Sequence, residues 1–239
     1  MRFATIYTQT IIAPMVTTLM FYTVFALAFG GLDQEIGGIS YMAFIAPGLI
    51  MMTMVQNAFA NTSSSIVISK VQGNIVDILM PPLSSLEILI GFITGAVARG
   101  LSIGVCTTVM LSFFAPVSIH SFTMVFVFGF LGSLMLGALG IAVGIWADRF
   151  DHMAAITNFV VTPMTFLSGT FYYISVLPEF WQNVARFNPF FYMIDGFRYG
   201  FIGQSDGSII IGLNVLVACN IALLALSYLM IKTGYKIKS

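Results

Sequence analysis

Long apolar runs, each sufficient to cross a lipid bilayer as a helix, take up most of this 239-residue chain. Crossing a bilayer core takes about 20 consecutive apolar residues in helical form. Only 8% of the residues are charged, whereas soluble domains carry about 25%. The sequence therefore predicts an all-α polytopic membrane protein with about six transmembrane helices. The predicted spans are 11–29, 42–60, 89–115, 122–147, 154–171 and 209–231.

The chain shows no linker and no block of charge that would divide it, so we expect one domain over residues 1–239. The first run ends near Ala26-Leu27-Ala28 and could pass for a secretory signal with a small-residue cleavage site. That run is longer than the apolar region of such signals, which is about 7–15 residues. We therefore predict an uncleaved first span.

Basic residues are unevenly distributed between the loops. If both termini lie in the cytoplasm, only Arg186 and Arg198 fall on the outer side. Cytoplasmic loops of membrane proteins carry an excess of Lys and Arg, which favours this orientation. The residues that would then lie on the inner side are Arg2, Lys70, Arg149, Lys232, Lys236 and Lys238.

Several classes of function are disfavoured by what the sequence lacks. It has no G-x-x-x-x-G-K-[ST] motif for nucleotide phosphates, and its formal net charge of zero offers no basic surface for nucleic acid. His120 and His152 fall in opposite loops, and Cys106 and Cys219 lie far apart in apolar runs. We therefore expect no catalytic residues, no metal site and no cofactor within this chain. A proton-driven carrier would also lack a carboxylate deep in a span.

The inner loop between the second and third spans has helical periodicity. Its apolar residues recur from Val67 to Leu79, and Pro81-Pro82 then ends the segment. The pattern predicts a short amphipathic helix at the cytoplasmic surface. This helix either rests on lipid headgroups or docks a soluble partner. The polar residues that would contact such a partner are Lys70, Asn74 and Asp77.

Arg99 lies near the middle of the third span. A cation at that depth is costly unless it faces protein or water. It is therefore either satisfied by polar neighbours in the bundle or in contact with a substrate. Other polar residues that could line a central path, or could equally join helices by hydrogen bonds, are Gln56, Asn57, Asn61 and Asn158.

The outer segment 171–206 is too polar to span the membrane and too aromatic for a solvated loop. Aromatic residues of this kind are enriched at membrane interfaces. We expect two short helices, at 178–186 and 192–201, that dip into the outer leaflet and return, which requires cover from protein or a wet cavity.

An ordered series of motifs in this chain resembles the membrane subunit of type-2 ABC exporters. The most specific part is NPFFY at 188–192 followed by DGFRYG at 195–200, in which we single out Pro189, Tyr192, Asp195, Gly196 and Arg198. The segments IAPGL at 45–49, VARGL at 97–101 and NIVDIL at 74–79 also look like this family.

This resemblance implies a permease that pairs with a second permease copy, which we expect to be identical. It also implies two cytoplasmic ABC ATPase subunits that hold ATP and magnesium. The segment 70–80 would be the coupling helix on the ATPase, and the outer helices would be the family's re-entrant pieces. The implied location is a bacterial inner membrane, and the implied substrates are exported drugs, lipids or lipid-linked sugars. Members usually begin with an interfacial helix of about twenty residues, whereas only residues 1–9 stand before the first helix here.

Two rival functions remain open from the sequence. One is a channel or secondary transporter that needs no ATPase, which the missing intramembrane carboxylates and the docking-type loop disfavour. The other is a membrane assembly subunit without transport of its own.

Overall fold

A computed structural model describes residues 8–29, 35–36 and 38–236. Arg2 and Lys238, which contribute to the predicted orientation, lie outside these residues. The described chain is helical apart from one short antiparallel pair, in which Glu35–Ile36 pairs with Ile39–Ser40. No membrane is present in the structure, so the helices are assigned to it by length and composition.

Five helices are long and apolar enough to cross a bilayer within the described residues. We name them α1 (Ala13–Phe29, after a π-helical turn at Thr8–Ile12), α2 (Tyr41–Val71), α4 (Ser85–Leu111), α5 (Phe122–Trp146) and α10 (Ile209–Thr233). The prediction of an all-helical polytopic protein is therefore confirmed, as are five of its long apolar helices. The shorter helices are α3 (Ile75–Leu79), α6 (Phe150–Ile156), α7 (Thr162–Phe166), α8 (Glu179–Phe187) and α9 (Pro189–Ile202).

The predicted fifth span, 154–171, differs from the structure. Helix α6, a π-helical turn at Thr157–Val161 and helix α7 follow one another and end at Phe166. Together they span 17 residues, as many as α1 and fewer than each of the other four long helices. The helix stops because Gly169 has φ of +73°, a left-handed conformation that glycine adopts without strain. Thr170 and Phe171 then turn back into the protein, where both are buried.

The second predicted span, 42–60, is too short, because α2 continues to Val71. Val67 and Lys70, which the sequence assigns to an amphipathic surface helix, therefore belong to α2. Gly73, with φ of +75°, breaks the chain direction before the five-residue α3 begins. One continuous coupling helix over 70–80 is thus not what the structure contains.

The core is organised around α2. Its N-terminal half is almost completely buried, with Phe44, Ile50, Met51 and Val55 inaccessible to solvent. The most extensive contact of α2 is with α5, whose small residues let the two backbones come close. A Cβ on Gly140 would lie 2.6 Å from the carbonyl oxygen of Phe59. Only glycine therefore fits at this crossing.

The two helices expected in the outer segment are present as α8 and α9. Proline stands at the first position of α9, where its missing N–H group has no intrahelical partner in any case. Helix α9 is largely buried against α5, α2 and α10. Helix α8 exposes Phe180 and Phe187 on the outside of the protein. Whether these helices enter the membrane stays a prediction.

Candidate functional site: a polar face on α2, an ionic cluster and the helix pair α8 and α9

One side of α2 carries polar residues near the middle of the helix. Gln56, Asn57 and Asn61 lie within about one and a half turns of each other and are only partly buried. The Asn57 side chain has a defined orientation because its amide nitrogen donates to the carbonyl of Thr53 at 2.9 Å. Three of the predicted pathway residues therefore lie together on one helix face.

Two cavities flank this polar face. One, of about 300 Å³, lies between α1 and α2 and is lined by Thr17, Thr18 and Thr53 among others. The other, of about 420 Å³, lies between α2 and the helical stretch from Phe150 to Phe166 and includes Asn158 in its lining. Gln56 and Asn57 line both cavities.

Asn158 and its neighbour Thr157 lie in the π-helical turn Thr157–Val161. Such turns are rare and frequently mark functional positions. Both residues line the second cavity, together with Gln56 and Asn57. Four of the five predicted pathway residues thus border either the polar face or its cavities.

Arg99, the fifth, reaches the same face from α4. One terminal nitrogen donates to the Asn61 side-chain oxygen at 3.3 Å, and the other donates to the Asn57 side-chain oxygen at 3.4 Å. Its Nε is buried without a hydrogen-bond partner. No carboxylate in the described part of the chain forms an ion pair with it. The sequence could not name these partners, and the structure identifies them as neutral amides.

Lys70 has a different setting from the one expected of a residue that contacts a soluble partner. Its ammonium group donates to the carbonyls of Ile145 and Ala147, both at 2.8 Å. These carbonyls end α5, where a cation complements the helix dipole. Lys70 also lies 3.4 Å from a carboxylate oxygen of Asp148. Its side chain therefore holds the C-terminal ends of α2 and α5 together.

Asp148 completes this ionic cluster by accepting a second hydrogen bond, from Lys236 at 3.0 Å. The hydrogen bond from Lys236 and the charges of both lysines hold the pKa of Asp148 below its usual range. Sequence reasoning missed this residue. Its partners lie 78 and 88 positions away, so no local pattern signals the contact.

The other two predicted coupling residues, Asn74 and Asp77, are exposed on the loop between α2 and α4. Apolar side chains on the same loop are exposed as well, with Val76 at 51% and Met80 at 77%. Apolar residues grouped on an exposed surface mark interaction sites. The loop thus presents a mixed apolar and acidic surface.

The motif at 188–200 is held together by Asn188, which is not among the predicted site residues. Its side-chain oxygen accepts from the N–H of Phe190 and caps α9. Its amide nitrogen donates to the carbonyl of Met164 at 2.8 Å and to the hydroxyl of Ser168 at 2.9 Å. Asn188 therefore ties the start of α9 to the end of α7. The signal in the sequence was its position before Pro189, a common N-cap arrangement.

Asp195 and Tyr192, both predicted site residues, make structural contacts. The carboxylate of the buried Asp195 accepts from the N–H groups of Asp206 and Gly207 at 2.8 and 3.0 Å. The Tyr192 hydroxyl donates to the Arg186 carbonyl at 2.9 Å. These bonds fix the loop after α9 and the end of α8.

Arg198 is the most deeply buried charged residue of the motif at 188–200, with 1% of its surface exposed. It donates to the carbonyl of Gly169 at 2.5 Å. Gly196, on the same helix, packs so closely on Phe128 that a Cβ would overlap its ring. Arg198, which the sequence counts on the outer side, therefore points into the protein and not into solvent.

Comparison with known proteins identifies the family of this chain. The ABC-2 type transporter family matches residues 1–202. The chain is 37% identical over 238 residues to the inner membrane transport permease YadH of Escherichia coli (strain K12), a match that covers 100% of this chain and 93% of that protein. It is 25% identical over 193 residues to nodulation protein J of Rhizobium leguminosarum bv. viciae, covering 78% of this chain and 73% of the relative. The chain belongs to the ABC-2 type transporter family and is an inner membrane transport permease of that family.

Proposed function

We propose that this permease forms half of an export pathway that runs along the polar face of α2. The observation that carries the proposal is the partial exposure of Gln56, Asn57 and Asn61 at membrane depth. Polar side chains in a membrane face protein or a water-filled cavity, not lipid. The two cavities beside Gln56 and Asn57 supply the beginning of such a path.

A second copy of the permease would close the other side of this path. The side chains of the polar face are only partly buried in one chain. Two copies related by a two-fold axis would bring two such faces together. An identical partner suffices for this arrangement, so we propose a homodimer. The pathway residues would be Gln56, Asn57, Asn61, Arg99 and Asn158 from each copy.

Permeases of this family are transport subunits, and their ATPase is a separate subunit. We infer that the ATPase, which would carry ATP and magnesium, docks on the loop that contains Asn74 and Asp77. The exposed apolar side chains of Val76 and Met80 support this assignment. Lys70 would then act indirectly, by passing movement of the loop to the end of α5. ATP binding would thus shift the permease between inward-open and outward-open states.

The same arrangement puts both termini and the inner ionic cluster in the cytoplasm, in keeping with the excess of basic residues there. Helices α8 and α9 would form a re-entrant cap at the outer end of the path. The exposed aromatic residues Phe180 and Trp181 on α8 suit an interfacial position. The buried Arg198 and Asp195 would hold this cap on the bundle.

The pathway is tested by cysteine accessibility in a Cys106→Ser, Cys219→Ser background. Gln56→Cys and Asn158→Cys should react with a charged, membrane-impermeant methanethiosulfonate reagent in reconstituted vesicles. Val105→Cys is the matched control, because Val105 is exposed on α4 among apolar residues and should face lipid. Reaction rates at Gln56→Cys and Asn158→Cys no higher than at Val105→Cys would contradict the proposal.

The docking assignment is tested by charge reversal on the loop. Asp77→Lys should reduce the amount of ABC ATPase, identified by its nucleotide-binding peptides, that purifies with the permease. Asp151→Lys, also an exposed acidic residue on the predicted inner side, is the control and should leave this amount unchanged. Equal recovery of the ATPase with the unmodified permease, Asp77→Lys and Asp151→Lys would argue against docking at Asp77.

A further inference from the structure

Arg99 is a membrane-depth cation whose charge is not neutralised by any carboxylate in the described residues. Its two hydrogen bonds, at 3.3 and 3.4 Å, go to the neutral side chains of Asn61 and Asn57. Charge-assisted bonds from arginine to a carboxylate or phosphate are shorter, at about 2.7–2.9 Å. The guanidinium carries about five N–H donors, and Nε is among those left without an acceptor.

The neighbours of Arg99 hold it in place without satisfying it. Asn57 is fixed by its bond to the Thr53 carbonyl, so that its oxygen points toward Arg99. Asn57 also lines both cavities beside the polar face. A group that enters either cavity can therefore contact Asn57, and only that side chain separates it from Arg99. The hydroxyls of Thr18 and Thr53, which are 2.6 Å apart, border the cavity between α1 and α2.

An anion that crosses the bilayer centre loses its hydration and needs a compensating charge there. A cation with spare donors and only weak internal partners meets that need. We propose that Arg99 is an anion-binding residue, and that the substrate is an amphiphile with a phosphate or carboxylate headgroup. This inference rests on the proposed pathway, because it names the class of molecule that the pathway carries.

The contrasting interpretation is that Arg99 only joins α4 to α2. The two interpretations differ in their response to a nearby carboxylate. In Asn61→Asp, a carboxylate would stand about where the Asn61 oxygen lies, 3.3 Å from the guanidinium. It would occupy the donors that an anionic ligand needs. A purely structural arginine would keep its helix contact in that variant, and there would be no ligand binding to lose.

The experiment measures the thermal unfolding midpoint of the purified full chain in a neutral detergent with three additives. Dodecyl phosphate is the anionic amphiphile, dodecyl maltoside is the neutral amphiphile with the same tail, and inorganic phosphate is the anion without a tail. A ligand that binds the folded state raises the midpoint. We expect dodecyl phosphate to raise it above the values in the other two additives.

The rise should be lost in Arg99→Gln, reduced in Arg99→Lys and lost in Asn61→Asp. It should persist in Arg186→Gln, which removes an arginine of the predicted outer side. Arg99→Gln keeps a polar, uncharged side chain at this position, and a cooperative unfolding transition without additive establishes that the comparison uses a folded protein. The same rise in Arg99→Gln, no selective rise in the unmodified chain, or an equal rise with inorganic phosphate would overturn the proposal. Because this assay uses neither the ATPase nor cysteine accessibility, its failure would leave the pathway test intact.

Discussion

The guanidinium carbon of Arg198 lies 3.9 Å from the centroid of the Phe44 ring. This contact joins α9 to α2, which are about 150 residues apart in the chain. Stacking of arginine on an aromatic face is stronger when both groups are removed from water. Arg198 is also the donor to the carbonyls of Gly169 and Thr170. One side chain thus joins the outer helix pair, the central helix and the end of the α7 segment.

Replacing Arg198 should destabilise the protein strongly. Arg198→Ala leaves the buried carbonyls of Gly169 and Thr170 without this donor, a loss of about 1–3 kcal/mol in the free energy of unfolding. Arg186→Ala, on the neighbouring α8, is the control and should change it by less than about 0.5 kcal/mol. Denaturant or thermal unfolding of the purified proteins in detergent measures both. Equal stability of the two variants would show that Arg198 does not bear on the fold.

Removing the amide of Asn188 should separate α9 from α7. Asn188→Ala loses the cap of α9 and the bonds to Met164 and Ser168, so we expect a loss of about 2 kcal/mol, the upper part of the range for N-cap removal. Asn74→Ala is a matched control, because Asn74 is exposed and its one side-chain bond, to Gln72, is long at 3.5 Å. The same unfolding assay checks the difference. A loss in Asn74→Ala as large as in Asn188→Ala would contradict the assignment.

The crossing of α2 and α5 can be tested with two glycines. Gly140→Ala adds a Cβ 2.6 Å from the Phe59 oxygen and forces the helices apart, which typically costs about 1–3 kcal/mol. Gly91→Ala meets no atom within 4 Å and should stabilise α4 by up to about 1 kcal/mol through helix propensity. The midpoints of thermal unfolding should therefore move in opposite directions. A shared direction would mean that the crossing is looser than the structure shows.

The Asp148 cluster should respond to acid in a defined direction. Because its pKa is lowered in the folded state, Asp148 stabilises the protein fully above the unfolded value, about 3.9. That contribution declines as the pH falls through the folded pKa. The unfolding midpoint of the unmodified chain should therefore exceed that of Asp148→Asn at pH 7, and the difference should vanish at lower pH. A difference that stays constant from pH 7 to well below the unfolded pKa would show that charge is not its origin.

Much of the fold could be predicted because a membrane helix requires only a run of neighbouring apolar residues. Each of the five long helices corresponds to one apolar run, and the helices of the outer segment correspond to its proline and aromatic motifs. The errors lie where backbone conformation decides the outcome. Gly169 ends the fifth helical stretch early, and Gly73 sets the end of the extension of α2. The pattern of apolar residues does not predict such turns.

The candidate site could likewise be predicted only in part. The polar residues of α2 could be selected as candidates, since amides at membrane depth are unusual in any apolar run. Their relation to Arg99 could not, because Asn57 and Asn61 are 42 and 38 positions away from it. The contact of Lys70 with the end of α5 could not be predicted for the same reason, since the two carbonyls that it binds are 75 and 77 positions distant.

The sequence by itself determined that this is a membrane protein, its helical class and its family. The length of an apolar run and the order of motifs are properties of neighbouring residues. Only the tertiary structure decided which charges are neutralised, with Asp148 between two lysines and Arg99 beside two amides. The physical reason is that electrostatic energy depends on distance in space, and the helix packing sets those distances between residues that the chain keeps far apart.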